Sequence, residues 1–260
     1  MKQPSLATQV GQLARRSILR TLRQPAQIVP ALVFPLFLLA LNTPGLEDVV
    51  HLPGFPTDSY LTFALAVTFV QGALFAIINA GTDLANDIET GFLNRLALTP
   101  LRGVALIGGL LAGTLALGIL QAIAFLLIGL AAGADFATGF TGALAIAAMA
   151  LLTVVGFGAL GIVAALRTGS GETVQGLFPV AFVLLFLSSM ALPRDLIEQD
   201  WFRTVATYNP ISYVIEGIRS LLIEGWDAEA LALGFGVAIA VVAIGVIGAS
   251  LSLRTRLVRT

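Results

Sequence analysis

Long apolar stretches separated by short polar segments run through the whole chain. Each is close to or above the roughly 20 residues that a helix needs to cross about 30 Å of hydrocarbon. The first is the shortest and contains Pro30 and Pro35, which a spanning helix tolerates when neighbouring groups satisfy the freed carbonyls. The pattern predicts an all-α integral membrane protein with six transmembrane helices, at about residues 28–41, 61–81, 104–132, 139–166, 174–192 and 230–253.

The basic residues are sorted by side of the predicted membrane. When the segments between the apolar stretches are numbered in order, 11 of the 14 basic residues fall on alternate segments, and the exceptions are Arg194, Arg203 and Arg219. Cytoplasmic loops carry the excess of Lys and Arg, so we expect both termini in the cytoplasm. The Ala- and Gly-rich composition, with arginine preferred over lysine, is typical of a high-GC bacterium. We therefore expect a multi-pass protein of the bacterial plasma (inner) membrane.

The composition excludes several classes of function. Charged residues make up 11% of the chain, against about 25% in a soluble domain. The chain has no cysteine, and His51 is its only histidine, so zinc enzymes and serine-protease triads lack their residues. Lys2 is the only lysine, so a GxxxxGK phosphate-binding loop is absent. We expect no metal, no cofactor on this chain, no enzymatic activity and no nucleic-acid partner.

Residues 4–24 are predicted to form an interfacial helix. Its apolar residues recur every four positions in one slowly turning stripe, at Leu6, Val10, Ala14, Ile18 and Leu22. Arg16, Arg20 and Arg23 lie on another face. Such a helix can rest on the inner leaflet with its arginines among anionic headgroups. An ordinary basic flank that only sets topology is the alternative, and the two interpretations are compatible.

The polar segment after the second apolar stretch is predicted to contain a short amphipathic helix on the cytoplasmic surface. Asp87 can cap its start and Pro100 would stop it. The charged residues Glu89 and Arg95 lie off an apolar face that is formed by Ile88, Phe92, Leu93 and Leu96. Exposed apolar side chains on such a helix indicate a protein partner.

The last external segment, 193–228, is too charged to span a membrane, yet residues 211–223 are amphipathic at helical spacing. Asn209 followed by Pro210 is a typical helix start. A re-entrant pair of short helices dipping into the outer leaflet would satisfy both facts. Tyr213 lies on this segment, and Glu216 and Arg219 are three residues apart and could pair. A part in cargo release is the less favoured alternative for that pair.

The predicted spans contain almost no ionisable residue. An ion-coupled transporter usually carries one near the midplane, so the sequence argues against ion coupling and favours an apolar or amphiphilic cargo. Gln71, Asn79 and Gln121 are candidates for a transport pathway, although hydrogen bonding between helices is the favoured role for Gln71 and Gln121. Small residues at 109–113, at 129–133 and at Gly156, Gly158 and Gly161 could let helices approach closely.

Three stretches carry a resemblance to a known family. They are ARRSILRTLRQP at 14–25 followed by VFPLF at 33–37, DIETGFLNRLALTP at 87–100, and YNPISYVIEGIRSLL at 208–222. In this order they resemble the interfacial helix, the signature loop and the Asn-Pro-aromatic segment of ABC-2 type permeases of ATP-binding-cassette exporters. The daunorubicin-resistance-type drug exporters are the most similar in character. Residues 193–200, PRDLIEQD, depart from the more apolar turn of many relatives.

The resemblance implies a single ABC-2 type transmembrane domain over 1–260 that exports a hydrophobic or amphiphilic substrate such as a drug, a lipid or a lipid-linked glycan. It implies a second permease chain, in a homo- or heterodimer, and two copies of a separate ATP-binding subunit that hold ATP and Mg. Residues 87–99 would be the coupling helix that docks on this subunit. Ile88, Phe92, Leu93 and Leu96 would supply contact area there, and Glu89 and Arg95 would set orientation.

Two other functions compete with this interpretation. A non-transporting membrane scaffold could use the same cytoplasmic helix to recruit a soluble partner. An ATP-independent secondary carrier is the third candidate, and the lack of ionisable groups in the spans argues against it.

Overall fold

A computed structural model describes residues 5–97 and 103–259, and within these ranges all regular structure is helical. Short 3-10 turns at Glu47–His51 and Arg194–Leu196 and a π-helical turn at Ser220–Glu224 interrupt the sequence of α-helices. The α-helices are α1 Leu6–Leu22, α2 Pro25–Gly45, α3 Tyr60–Glu89, α4 Phe92–Ala97, α5 Gly103–Ala131, α6 Gly139–Thr168, α7 Gly171–Gln175, α8 Leu177–Phe186, α9 Asp200–Tyr208, α10 Pro210–Arg219 and α11 Ala228–Arg259.

Among the described residues, five helices are long and apolar enough to cross a membrane: α2, α3, α5, α6 and α11. They contain five of the six predicted apolar stretches. In α2 the chain stays helical through Pro30, Pro35 and Pro44, and Pro25 occupies the first turn. The predicted interfacial helix is present as α1, which Ser5 caps by accepting a hydrogen bond from the Thr8 amide. Pro4, the first residue of its predicted range, lies outside the described residues.

The apolar stretch 174–192 is not one continuous helix, so the prediction of a sixth full-length span is not confirmed. A turn at Gly176, whose φ of −62° and ψ of −16° stay in the right-handed helical region, separates α7 from the 10-residue α8. Together they form the apolar helix Gly171–Phe186, which at about 24 Å is shorter than the hydrocarbon thickness. Beyond α8, the Ser188 hydroxyl donates a hydrogen bond to the Leu185 carbonyl at 2.5 Å. Such local serine bonds compete with helix continuation, a competition that mean hydropathy does not register.

Helix α10 lies beside the first turns of α11. A Cβ placed on Gly217 would be 3.1 Å from the Ala230 carbonyl oxygen, and one on Gly234 would be 2.9 Å from the Tyr213 carbonyl oxygen. Tyr213 is therefore level with a residue six positions, or about 9 Å, into α11. The α10 helix thus occupies the outer part of the bundle, in the direction that α8 leaves unfilled.

Helix α3 is the central element. Of its most apolar 18-residue window, 83% is buried, against 17% for α2 and for α11. Glycines make this burial possible, because a Cβ on Gly161 of α6 would overlap the Ile77 carbonyl of α3, and one on Gly81 would be 2.8 Å from the Gly161 carbonyl oxygen. The predicted close approach at Gly161 is confirmed, whereas Gly133 has open space around it.

We expect Gly161→Ala to destabilise the bundle by about 1–3 kcal/mol, because the added methyl group has no space against the backbone of α3. The measurement is the thermal unfolding midpoint of the purified protein in detergent. Gly108→Ala in α5 is the matched control, since a Cβ there meets nothing within 4 Å. Equal midpoints for the two variants would contradict the close contact.

Candidate functional site

Four charged residues from two helices meet at the end of the bundle where α3 ends. Arg16 of α1 donates to both carboxylate oxygens of Asp87 of α3, each at 2.9 Å. Arg20 donates to Asp87 Oδ1 at 3.0 Å and lies 3.1 Å from Asp83 Oδ1. Only 9% of the Asp87 side chain is exposed. Bidentate, charge-assisted bonds with restricted solvent access hold α1 firmly on α3; we call Arg16, Arg20, Asp83 and Asp87 the charge cluster.

The surroundings of the charge cluster fix its geometry. Gly113 of α5 lets α1 lie close, since a Cβ there would be 2.7 Å from Thr21 Oγ1. The Ser17 hydroxyl donates to the Leu110 carbonyl of α5 at 3.2 Å. Gln27 at the start of α2 donates to Asp83 at 3.0 Å. The hydrogen bonding that Arg16 donates to the Asp87 carboxylate is the largest influence on the Arg16 guanidinium and raises its pKa. Three helices thus converge on the inner end of α3.

This geometry corrects two expectations. Arg16 and Arg20 pair with carboxylates of α3 instead of pointing only to lipid headgroups, whereas Arg23 is exposed. Asp87 does not cap a new helix, because α3 continues to Glu89. The sequence-based predictions did not include the pairing of Arg16 and Arg20 with Asp83 and Asp87. The sequence did contain a signal for it, because the two arginines are four residues apart in α1 and the two aspartates are four residues apart in α3. This spacing places each pair on one face of its helix.

The chain turns sharply after α3. Gly91 has φ +70°, a conformation that glycine adopts without strain, and the short helix α4 follows. Of the predicted exposed apolar face, Leu93 is buried, so the prediction is wrong for this residue. Ile88, Phe92 and Leu96 are half-buried, and Ile88 and Leu96 pack against the same apolar cluster as Leu93. Part of the predicted face thus belongs to the protein's own core.

Charged and aromatic groups therefore form the accessible surface of this corner. Glu89 and Arg95 are exposed, and Phe92 is half-buried. The guanidinium of Arg16 lies 3.9 Å from the centroid of the Phe92 ring, so the corner is attached to the charge cluster. We call Glu89, Phe92 and Arg95 the corner surface. The end of the predicted coupling helix, at Thr99 and Pro100, lies outside the described residues.

The polar residues inside the spans connect helices. Gln121 is buried, and its Nε2 donates to the carbonyls of Ala31 and Gly72, both at 3.0 Å, so α5 is tied to α2 and α3. Asn79 donates to the Gln27 carbonyl at 3.5 Å. Gln71 is buried in α3. The contacts of Gln121 match its favoured hydrogen-bonding role, and the pathway role stays a prediction.

Arg219 anchors the external segment, and its predicted pairing with Glu216 is replaced by other bonds. Its guanidinium donates to the carbonyls of Phe63 at 3.2 Å, Ser189 at 2.5 Å and Met190 at 2.6 Å. It also lies 3.4 Å from the centroid of the Phe63 ring. A buried cation is tolerated where its donors are all engaged. Arg219 thereby joins α10, the outer end of α3 and the turn after α8.

Other residues of the external segment complete this anchor. Glu216 pairs with Arg194 at 2.6 Å, a partner that the sequence did not suggest. Asn209 caps α10 by accepting from the Ile211 amide, and its Nδ2 donates to the Leu184 and Leu187 carbonyls at the end of α8. Pro210 occupies the first turn of α10, and the Tyr213 hydroxyl donates to the Thr207 carbonyl at 2.7 Å.

Metal chemistry finds no support in the part of the chain that the structure describes. Among residues 5–97 and 103–259, no group of three or more His, Cys, Asp or Glu side chains is placed to hold an ion. The carboxylates of the charge cluster are instead neutralised by arginine.

Comparison with known proteins identifies the family. The sequence profile described as "ABC-2 type transporter" matches residues 8–223. "Putative transport permease ycf38" from Porphyra purpurea is 28% identical over 218 residues, covering 81% of this chain and 72% of that protein. Proteins of the same name from Cyanophora paradoxa and Pyropia yezoensis are 25% and 28% identical; they cover 80% and 84% of this chain and 72% and 75% of their own lengths. The profile match extends over most of the chain, and the chain therefore belongs to the ABC-2 type transporter family.

Proposed function

We propose that this chain is the permease subunit of an ATP-driven exporter and that the corner surface docks on a separate ATP-binding subunit. Family membership and the permease relatives make the chain a multi-pass membrane transporter subunit. Members of the family generally work with an ATP-binding subunit. The dimer of permeases, the two ATPase copies with their ATP and Mg, and the outward direction belong to the proposal.

The observation that carries the proposal is the attachment of the corner to α3. Glu89 is the last residue of that helix, and the charge cluster lies within two turns of it. A helix with most of its central window buried cannot shift at one end without moving its neighbours. A displacement of the corner would thus reach the middle of the membrane. The partner drives such a displacement only if its two states contact the corner differently.

The composition of the corner surface defines how docking would work. Leu93 is buried, and the half-buried Ile88 and Leu96 pack against the same apolar cluster. Phe92 is the apolar residue of the corner surface, and Glu89 and Arg95 are its charges of opposite sign. Charges at the rim of an interface mainly set orientation and association rate. The substrate would be hydrophobic or amphiphilic, because the spans offer apolar surface and amides instead of charges.

The proposal also includes the orientation in the membrane. Both termini would lie in the cytoplasm of a bacterial cell, and α9 and α10 would form the re-entrant pair in the outer leaflet. Two contacts support that placement. The Tyr213 backbone lies against Gly234 of α11, and Asn209 donates hydrogen bonds to two carbonyls at the end of α8. Together, the short α8 and the returning α10 would extend across the hydrocarbon thickness that a single spanning helix normally crosses.

We expect Arg95→Glu and Phe92→Asp to reduce recovery of the ATP-binding subunit with the tagged permease by at least about tenfold, because each removes a contact of the corner surface. The measurement is a pull-down after mild solubilisation, with membrane insertion checked for each variant. Arg254→Glu, an exposed arginine of α11, makes the same charge change as Arg95→Glu on the same predicted side and should leave recovery unchanged. Full recovery with Arg95→Glu and Phe92→Asp would refute the docking surface and favour a scaffold or a carrier.

Asp87→Asn should separate docking from coupling. Neutralising this carboxylate breaks the bonds that hold Arg16 and Arg20, at a cost of about 3–5 kcal/mol for a buried pair, but leaves the exposed Glu89 and Arg95 in place. We expect the ATP-binding subunit to copurify while substrate-stimulated ATP hydrolysis falls several-fold. Asp48→Asn in the external 3-10 turn is the control. Wild-type stimulation in Asp87→Asn would show that the charge cluster does not transmit motion.

Single cysteines can test the orientation, because the natural chain contains none. A membrane-impermeant maleimide should label Asp58→Cys in intact cells and Thr168→Cys only after permeabilisation, since both positions are exposed at opposite ends of the bundle. Phe186→Cys at the end of α8 should resist labelling in both conditions, because it would lie in hydrocarbon. Labelling of Thr168→Cys in intact cells would reverse the proposed orientation.

A further inference from the structure

A cavity of about 590 Å³ opens at the external end of the bundle. It lies between the outer end of α3, the 3-10 turn Arg194–Leu196, the helices α9 and α10, the π-helical turn and the start of α11. That volume is in the range of sites for small organic ligands. Neither the corner surface nor the charge cluster takes part in it, so it is a separate feature; we call it the outer cavity.

The lining of the outer cavity is divided between apolar and charged groups. Ile223 of the π-helical turn and Leu233 of α11 supply accessible apolar groups, whereas Phe63 is fully buried beneath the guanidinium of Arg219. The lining also carries five carboxylates and three guanidinium groups. A site with both apolar and charged groups matches a ligand that is itself amphiphilic, because each part of such a ligand loses unfavourable contacts on binding.

The three guanidinium groups are already engaged. Arg219 is held by the carbonyls of Phe63, Ser189 and Met190. Arg194 pairs with Glu216 at 2.6 Å and lies over the Tyr213 ring at 4.8 Å from its centroid. Arg203 pairs with Asp200. Arg194 and Arg203 thus each have a carboxylate beside them that offsets their charge, and Arg219 is buried, so none of the three presents an uncompensated positive charge to the cavity.

Most of the carboxylates are not engaged in this way. Glu216 is paired, and Asp227 accepts from the amides of Glu229 and Ala230 at the start of α11. Within residues 5–97 and 103–259, no hydrogen bond or ion pair involves the side chains of Asp195, Glu224 or Glu229. The uncompensated charge that faces the outer cavity is therefore negative, and the apolar residues Ile223 and Leu233 line the same cavity.

We propose that the outer cavity binds a cationic amphiphile, with the ammonium group among Asp195, Glu224 and Glu229 and the hydrocarbon part against Ile223 and Leu233. As a last contact of cargo before release, the site rests on the proposed export function, but its binding is a property of this chain alone. The exposed ring of Trp226, between Gly225 and Asp227, offers a further surface for a cation.

The two tryptophans of the chain report on this site. Trp201 and Trp226 are both exposed on segments that adjoin the cavity. Trp201→Phe leaves Trp226 as the single reporter. The permease is reconstituted without an ATP-binding subunit in nanodiscs of zwitterionic lipid. It is then titrated with bromine-labelled dodecyltrimethylammonium and, separately, with bromine-labelled dodecyl sulfate, because bromine quenches a nearby indole and the two probes differ in headgroup charge.

The expected result is saturable quenching of Trp226 by the cationic probe and only weak, unsaturable quenching by the anionic probe. Asp195→Asn, Glu224→Gln and Glu229→Gln combined should weaken binding of the cation by about tenfold, from roughly a twofold loss for each exposed charge removed. The matched control is Glu47→Gln, Asp48→Asn and Asp58→Asn, which removes three exposed carboxylates of the first external loop and none that line the cavity. This control should bind as the parent does.

Equal quenching by both probes, or unchanged affinity in the triple variant with a parental unfolding midpoint, would overturn the proposal. A fall in affinity with the control triple variant as large as with the cavity variant would also overturn it, because the charge effect would then be general. A different result would contradict the proposed export function, namely a pull-down in which no ATP-binding subunit is recovered with the permease. A chain that binds the cation but recruits no ATP-binding subunit keeps the site and loses the transport role.

Discussion

Close backbone contact between α3 and α6 fixes the helix on which both ends of the molecule depend. At Gly161 the absence of a side chain lets α6 lie against the Ile77 carbonyl, and α3 becomes the most buried of the long helices. Its outer end provides the Phe63 carbonyl and ring to Arg219, and its inner end provides Asp83 and Asp87 to α1. A single helix of 30 residues, about 45 Å long, thus connects the two polar regions.

Buried charge is handled differently at these two ends. At the end near α1, two arginines meet two carboxylates, so that each charge has an opposite charge beside it. At the other end, Arg219 is held chiefly by carbonyls, and two of these belong to Ser189 and Met190, where the chain turns after α8. Backbone carbonyls at such a depth need donors when the helix that would satisfy them has ended. The cation and the interrupted helix therefore stabilise each other.

The short α8 gives the external segment its place. Asn209 supplies hydrogen bonds to the Leu184 and Leu187 carbonyls, and in the same position it caps α10. One side chain thus closes the end of one helix and begins the next. The outer cavity lies beside this junction, walled by the π-helical turn that ends at Gly225 with φ +113°. Irregular backbone here is covered by protein, as hydrocarbon surroundings require.

The sequence by itself determined the class of protein, five of its long helices, the interfacial helix α1 and the helix start at Asn209 and Pro210. These follow from hydropathy, periodicity and capping, which act over a few neighbouring residues. The tertiary structure decided the rest. It buried Leu93, paired Arg16 and Arg20 with Asp87, paired Arg194 with Glu216, and ended α8 at Phe186. Each of these outcomes depends on which distant helix supplies a partner. Local spacing can show that charges share a helix face, but it contains no information about distances across the bundle.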